Sequence, residues 1–408
     1  MVWVVGLERA AGYCSGFPLA PTLVPISAKA WFLYAGDGSP TEGLADLVLE
    51  DFELPAPGPG ELLVEPLYGC WEGNMGHSLQ RKPIDVCRFR GEERIIIGNA
   101  GVVRVLSLGE GVQGWEPGRC GFVYAGEVMD PWEYPSKAFA YDAAGTRGYL
   151  STRMVVKADA LLPVPAGSRY SLAQWAAFSA RYTTAWSNWL LAYGTYRLMV
   201  RQELMPAPHV WGWGGGTTLA ELDLARRFGC RTVMLSANDQ RLEIIRKTGV
   251  TALDRRTFGD LYFDEMRAGT DPTYRRAYQQ AETAFVREME RLTGGQKVQI
   301  FVDYIGTPFS KATRRALSRE AVVTTAGWKE GMATSFLRAS ECIERHQYIH
   351  THMCGRQEAL DAAAYAEAND WMPTIDERIY SFEEIPALAA HFHSGQVGLF
   401  PVFRINPE

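Results

Sequence analysis

The chain of 408 residues contains no run of about 18 consecutive apolar residues, so nothing in it reads as a membrane-spanning helix. No basic segment precedes an apolar core in the opening MVWVVGLERAAGYCSGFPLAP, which leaves a secretion signal unsupported. Runs of like charge are also missing: acidic and basic residues are mixed along a chain of net charge −6. That mixture gives no footprint for nucleic acid or an anionic membrane and directs attention to small-molecule chemistry. The seven cysteines (Cys14, Cys70, Cys87, Cys120, Cys230, Cys342, Cys354) form no Cys-x-x-Cys pair. They read as reduced thiols of a cytoplasmic protein rather than as a disulfide framework.

What the chain does have is apolar bulk. A hydrophobic content of 47% over this length fits two domains with substantial cores. Residues 1–30 show no clean periodicity and read as an arm. From Leu44 to about Lys157, short alternating segments bounded by Gly and Pro (LADLVLEDFEL, ELLVEPLY, IIIGNAGVVRVLSLG, GYLSTRMVVKA) predict an all-β unit. At Ser171, a natural N-cap, the texture changes to helical spacing in SLAQWAAFSARYTTAWSNWLLAY. Beyond it strands alternate with helices: HVWGW, TLAELDLARRFG, RTVMLS, DQRLEIIRKTG, VQIFVDY, SKATRRALS, AVVTTAG, FLRASECIER, QYIHTH. That alternation predicts an α/β unit with a doubly wound parallel sheet of Rossmann type, carrying a charged, mainly helical insertion at 254–297. The last segment, MPTIDERIYSFEEIPALAAHFHSGQVGLFPVFRI, is expected to rejoin the β-rich unit.

The stretch HVWGWGGGTTLAELDLARRFG carries the most chemistry. A strand that feeds a glycine-rich turn and then a helix points free N–H groups and the positive end of the helix at a pyrophosphate. Gly212, Gly214, Gly215, Gly216, Thr217 and Thr218 occupy the turn. The next strand ends in Ser236-Ala237-Asn238, without the acidic residue that an NAD site offers to a ribose hydroxyl. With Ser236 there and Arg241 and Lys247 on the following helix, NADP(H) is favoured over NAD(H). The alternative is that Arg241 and Lys247 are a solvated helix face.

A β-rich unit, a Rossmann unit and the return SFEEIPALAAHFHSGQVGLFPVF together resemble the medium-chain dehydrogenase/reductase superfamily over about residues 40–408. The insertion ending LTGG, the pairing of VWGWGGG with VMLSANDQRLEIIRKTGV, and QYIHTHMCGRQEA look most like its crotonyl-CoA carboxylase/reductase branch. The resemblance implies a GroES-like catalytic domain from 1–183 and 355–408 and a Rossmann domain from 184–354. It further implies NADPH-dependent reduction of an α,β-unsaturated acyl thioester, on CoA or a carrier protein, in a homodimer or homotetramer. Three departures qualify it. Thr218 stands where the branch has a third glycine. The stretch Gly98-Asn99-Ala100 replaces the Gly-His-Glu of zinc-dependent members, and Cys70 with His77 supplies two ligands where three are needed, so no metal is expected. Ala143-Ala144 aligns with the Phe-Glu pair that holds CO₂ in carboxylating relatives, while their partner histidine is kept as His352; reduction without carboxylation is therefore expected.

The residues expected to act are His352, at the carboxyl edge of the parallel sheet, and Glu72, Asn74 and His77 in YGCWEGNMGH. Each has a structural alternative, a rim histidine for His352 and an ordinary loop for the other three. Trp71, Trp186, Trp211, Trp213 and Trp328 either line a bulky pocket or belong to the core. Against the reductase stand a reductive carboxylase and a catalytically silent or redox-neutral protein on the same fold.

Overall fold

The structure is a computed structural model and describes residues 25–408 apart from positions 125, 328 and 332. Most of the expected N-terminal arm, with Cys14, and Trp328 thus fall outside the described residues. The end of that arm is not separate: residues 26–30 open the strand Ile26–Tyr34, which pairs along its length with Leu47–Leu54.

Six parallel strands form the second half of the molecule in the order Thr251–Asp254, Arg231–Ser236, His209–Trp213, Val298–Asp303, Leu317–Thr325, Gln347–His350. The central pair, HVWGW and VQIFVD, is buried at every position, as expected of parallel strands covered on both faces. Strand order reverses between these two, so their carboxyl ends open the crevice where ligands bind in such sheets. The insertion supplies part of one cover. Asp271 caps the helix Pro272–Thr293, Gly294 ends it with a φ of 61°, and Tyr278, Ala281, Phe285 and Met289 form its buried stripe. The Phe285 ring lies 5.7 Å from that of Trp213, which also packs on Phe301 and Phe309. Trp71, Trp211 and Trp213 are fully buried core residues, the last two in the cluster just described and Trp71 in the core of the β-rich part.

A seven-stranded sheet makes the β-rich part, in the order Leu161–Pro163, Cys120–Val123, Gly101–Leu108, Glu61–Cys70, Val402–Arg404, Ile379–Tyr380, with Met154–Lys157 also on Glu61–Cys70. The C-terminal strand lies beside the one that leads into YGCWEGNMGH, with Val402 opposite Cys70. The region is not all β: helices Gly73–Gln80 and Val86–Arg90 follow the strand Glu61–Cys70. Two short helical turns lack the length from which a 3.6-residue period can be read.

The segment from Ser171 is two helices, not one. Ser171 and Gln174 form a reciprocal capping box for Leu172–Phe178, and a second helix, Arg181–Met199, starts after Ala180 at a φ of 59°. The break lets the Ser179 hydroxyl accept from the Gly101 N–H at 3.2 Å and turns Arg181 into the β-rich part. The helix Arg356–Asn369, rich in alanine, packs on Arg181–Met199 and was not anticipated. No helix among the described residues is long and apolar enough to cross a membrane.

Candidate functional site

The glycine turn joins the strand His209–Trp213 to the helix Gly216–Arg227 at the switch point of the sheet. Its glycines differ in what surrounds them. A methyl group at Gly212 would meet the Val302 carbonyl at 2.8 Å, and one at Gly216 would meet the Leu399 carbonyl at 2.6 Å, so both are there for close packing. At Gly214 the obstacle is Thr218, whose Oγ1 lies 2.1 Å from the position a Cβ would take. Gly215 faces open space, with no atom within 4 Å of such a Cβ. Open room before the N-terminus of a twelve-residue helix fits a pyrophosphate. Thr218 is fully buried beneath the turn and its hydroxyl has no hydrogen-bond partner. It fills the junction of strand and helix from the inside and leaves the Gly215 face clear.

Past the turn, Asn238 caps the helix Asp239–Lys247 by accepting the Arg241 N–H at 3.0 Å and gives its amide to the Gly395 carbonyl, also at 3.0 Å. Arg241 donates to the Val397 carbonyl, and burial holds its pKa below the usual value. Ser236 and Arg241 thus share the corner at the start of this helix. Lys247 does not: it is exposed in the last turn, about 12 Å away along the helix axis. Two cations that sequence reading missed take its place. Burial lowers the Lys329 pKa, its ion-pair partner Glu330, 3.8 Å away, opposes this, and the neighbouring charges of Arg241 and Arg255 lower it further. Arg255 sits with its guanidinium 5.1 Å from the Phe309 ring centre. Each follows the end of a parallel strand, Asp254 for Arg255 and Thr325 for Lys329, so the signal was a basic residue just past a strand at the carboxyl edge.

The opposite wall comes from the β-rich part. Strand Glu61–Cys70 delivers Glu72 as N-cap of the helix Gly73–Gln80, where Glu72 Oε2 accepts the Asn74 N–H at 2.9 Å. Glu72 Oε1 is buried with no partner, and burial raises the carboxyl pKa against the opposing effects of the Asn74 N–H, the Arg181 charge and the Met75 N–H. The main chain of Asn74 serves the cap, and its carbonyl accepts from Ser78 Oγ at 2.8 Å. Farther along the helix, His77 hydrogen-bonds the Lys329 main chain across the cleft, and burial lowers its pKa.

Tyr141 and Asp142, which sequence reading did not name, stand in the segment that holds Ala143-Ala144 and interact with residues of both walls. The carboxylate of Glu72 acts on the phenol of Tyr141, and that of Asp142 acts on His352. Burial lowers the His352 pKa and Asp142 opposes it. The Tyr134 hydroxyl fixes the histidine's backbone, accepting the His352 N–H at 2.6 Å and the Met353 N–H at 3.1 Å. That segment in turn is anchored from behind by Arg90, which pairs with Glu92 at 2.8 Å and bonds the carbonyls of Tyr141 and Thr146.

Cys70 is a buried thiol, its pKa pushed up to about 11 by burial. The Arg181 guanidinium reaches its sulfur at 2.7 Å and also bonds the Trp71 carbonyl. Among the described residues no three His, Cys, Asp or Glu side chains converge as a metal-holding group. The described cysteines are all free thiols.

A β-rich part joined to a six-stranded parallel sheet, with the cleft between them, is the medium-chain dehydrogenase/reductase fold, and the chain has that fold. No known protein-family profile matches it. Among characterised proteins it is similar to the crotonyl-CoA reductase of Streptomyces avermitilis, 22% identical over 385 residues that span 86% of this chain and 81% of the relative. It is 23% identical over 394 residues to that of Streptomyces collinus, spanning 88% and 82%. Among solved structures it is similar to a crotonyl-CoA carboxylase/reductase in complex with NADP, at a TM-score of 0.73 and 20% identity, covering 95% of this chain and 96% of that one. A 2-octenoyl-CoA carboxylase/reductase in complex with NADP and 2-octenoyl-CoA gives 0.75 at 19% identity, with coverage of 94% and 88%. An NAD-dependent alcohol dehydrogenase gives 0.74 at 16%, covering 93% and 100%. The fold is thus shared across different chemistries, and function has to be argued from the site.

Proposed function

We propose that the protein is an NADPH-dependent reductase of an α,β-unsaturated acyl thioester that acts without carboxylation. Residues 1–183 and 355–408 form its catalytic domain and 184–354 its nucleotide domain. The observation that carries the reading is the pairing, across one cleft, of a glycine turn with an open Gly215 face, on the same sheet edge as the mutually interacting Arg241, Arg255 and Lys329, with a buried carboxyl, Glu72, that has one oxygen unbonded. Relatives that reduce crotonyl-CoA, and solved relatives that hold NADP and an enoyl-CoA, support it.

NADPH, when bound, would supply the hydride. The turn N–H groups at Gly215 and Gly216 would hold its pyrophosphate, and Ser236, Arg241, Arg255 and Lys329 its 2′-phosphate. Glu72 does the proton work. Because Oε2 already receives the Asn74 N–H, the proton of the neutral carboxyl resides on Oε1, the free oxygen. A carboxyl whose pKa is raised by burial keeps that proton at higher pH and can deliver it to the α-carbon of an enolate. His77 holds the walls together through the Lys329 main chain.

The test is consumption of NADPH by the purified protein with crotonyl-CoA and 2-octenoyl-CoA, run with labelled bicarbonate. Saturable consumption with no label in the product is expected. Failure to bind either NADPH or NADH would overturn the reading in favour of a silent fold. One observation favours a second reading, reductive carboxylation: Asp142 places a carboxylate beside His352 although Ala143-Ala144 has lost one. Label in the product would establish it.

A further inference from the structure

The helix that begins at the glycine turn carries a carboxyl in a place where none is needed for solubility. Glu221 is fully buried, and its partners are uncharged: Asn188 Nδ2 donates to its two oxygens at 3.2 and 3.0 Å, and the Tyr304 hydroxyl donates to Oε2 at 2.7 Å. Asn188 does more than hold Glu221. Its Nδ2 also donates to the Tyr304 oxygen at 2.8 Å, and its Oδ1 accepts from the hydroxyls of Thr324 and Thr351, both at 2.8 Å. Every polar atom of this cluster that has been named is satisfied, and its ends reach two separate segments at the carboxyl edge of the parallel sheet. Tyr304 donates its N–H to the Trp213 carbonyl at 3.2 Å, and its Cβ stands 3.1 Å from where a Cβ on Gly214 would be. Thr351 immediately precedes His352.

We propose that Glu221 is a positioning residue which, through Asn188 and Tyr304, holds the glycine turn and the Thr351–His352 segment in one fixed relation. The inference rests on reading the turn as the nucleotide site. A buried, fully bonded polar cluster ties the elements that contribute to it into one arrangement, and removal of one member leaves the others unsatisfied at high cost. Burial pushes the Glu221 carboxyl up to about 7. Only Tyr304 and Asn188 face it; no charged side chain from the strands or from the helix Arg181–Met199 acts on it. On its own helix, Asp223 is turned instead to Arg226 and Arg227. Glu221 lies about 8 Å along the helix axis from Gly216, so its ionisation sets a buried negative charge behind the pyrophosphate position. At an effective dielectric constant of about 20 and that distance, the repulsion corresponds to roughly a tenfold loss of nucleotide affinity or more.

The experiment is a titration with NADPH from pH 5.5 to 8.5 of the wild-type protein and of Glu221→Gln, combined with amide hydrogen exchange of both without nucleotide. The 2′-phosphate of NADPH titrates in the same range for both proteins, so the difference between them is the readout. Expected is a Kd that rises about tenfold more between pH 6 and 8 in wild type than in Glu221→Gln. Equal pH profiles in two proteins that both bind would overturn the proposal and leave the nucleotide reading standing. Should neither bind, the nucleotide reading fails, and exchange decides the positioning role. Asn188→Leu and Tyr304→Phe are expected to raise exchange at 213–218 and at 351–354 together; a change confined to one segment, or none, overturns it.

Discussion

Glu72, the N-cap of one helix, and Glu221, in the middle of another, are both buried carboxyls, and burial raises the pKa of each. They differ in their donors. Glu221 has both oxygens bonded and lies sealed among Asn188 and Tyr304. Glu72 has one oxygen held by its own cap and the other buried without a partner, at the cleft. A perturbed carboxyl therefore does not mark chemistry by itself. In the functions proposed above, the bonded one serves geometry, whereas the one with a free oxygen is the one that can give a proton.

Replacing Glu72 tests that contrast most directly. Glu72→Gln should lower kcat for enoyl-CoA reduction by roughly 10²–10⁴-fold while NADPH affinity stays within a small factor of wild type. In wild type kcat should fall as pH rises through the raised Glu72 pKa, and that limb should vanish in the variant; an unchanged kcat would remove Glu72 from the mechanism. The corresponding change on the bonded side acts on stability. The folded pKa of Glu221, about 7, lies above the ordinary 4.5, so the folded state keeps this proton longer than the unfolded one. Its stabilising effect is complete below pH 4.5 and is lost as the pH rises through 7. Denaturant unfolding should therefore show Glu221→Gln gaining on the order of 2–3 kcal/mol over wild type between pH 4.5 and pH 8.

Gly215→Val places a side chain on the open face, where no protein atom interferes, and should weaken NADPH roughly tenfold or more with no shift in the unfolding midpoint. A shift in the midpoint without loss of affinity would make the face a packing surface. The smallest effect is expected at Thr218. Thr218→Val removes a buried, unpartnered hydroxyl at nearly constant shape, which should raise stability by about 1 kcal/mol and leave the NADPH Kd unchanged. A weaker Kd would mean that the hydroxyl does reach the phosphates.

The alternation of strands and helices after Ser171 was readable because each element is long enough to show its period, and the parallel sheet follows from it. The glycine turn could be read for the same reason, since strand, turn and helix are contiguous in sequence. Lys247 shows where local reading fails. It belongs to the right helix, but a nine-residue helix carries its last turn away from the corner its first turn occupies. Arg255 and Lys329 reach that corner from separate strands, and no spacing in the sequence links them. Glu221 and Asp223 were hidden differently: the helix Gly216–Arg227 is buried on nearly all sides, so it offers no polar face from which to pick out a buried acid.

By itself the sequence determined the element types, the βαβ succession and the presence of a glycine-rich turn between strand and helix, because these depend on neighbours within one or two turns of chain. Tertiary structure alone decided that the Glu72 charge acts on Tyr141 and the Asp142 charge on His352, that Arg241 and Arg255 act on Lys329, and that Asn188 links Glu221 to Thr351. Those meetings join residues from strand ends, loops and helices far apart in the chain. They exist only once sheet order and burial have removed the intervening water and left each polar group to find its partner in the protein.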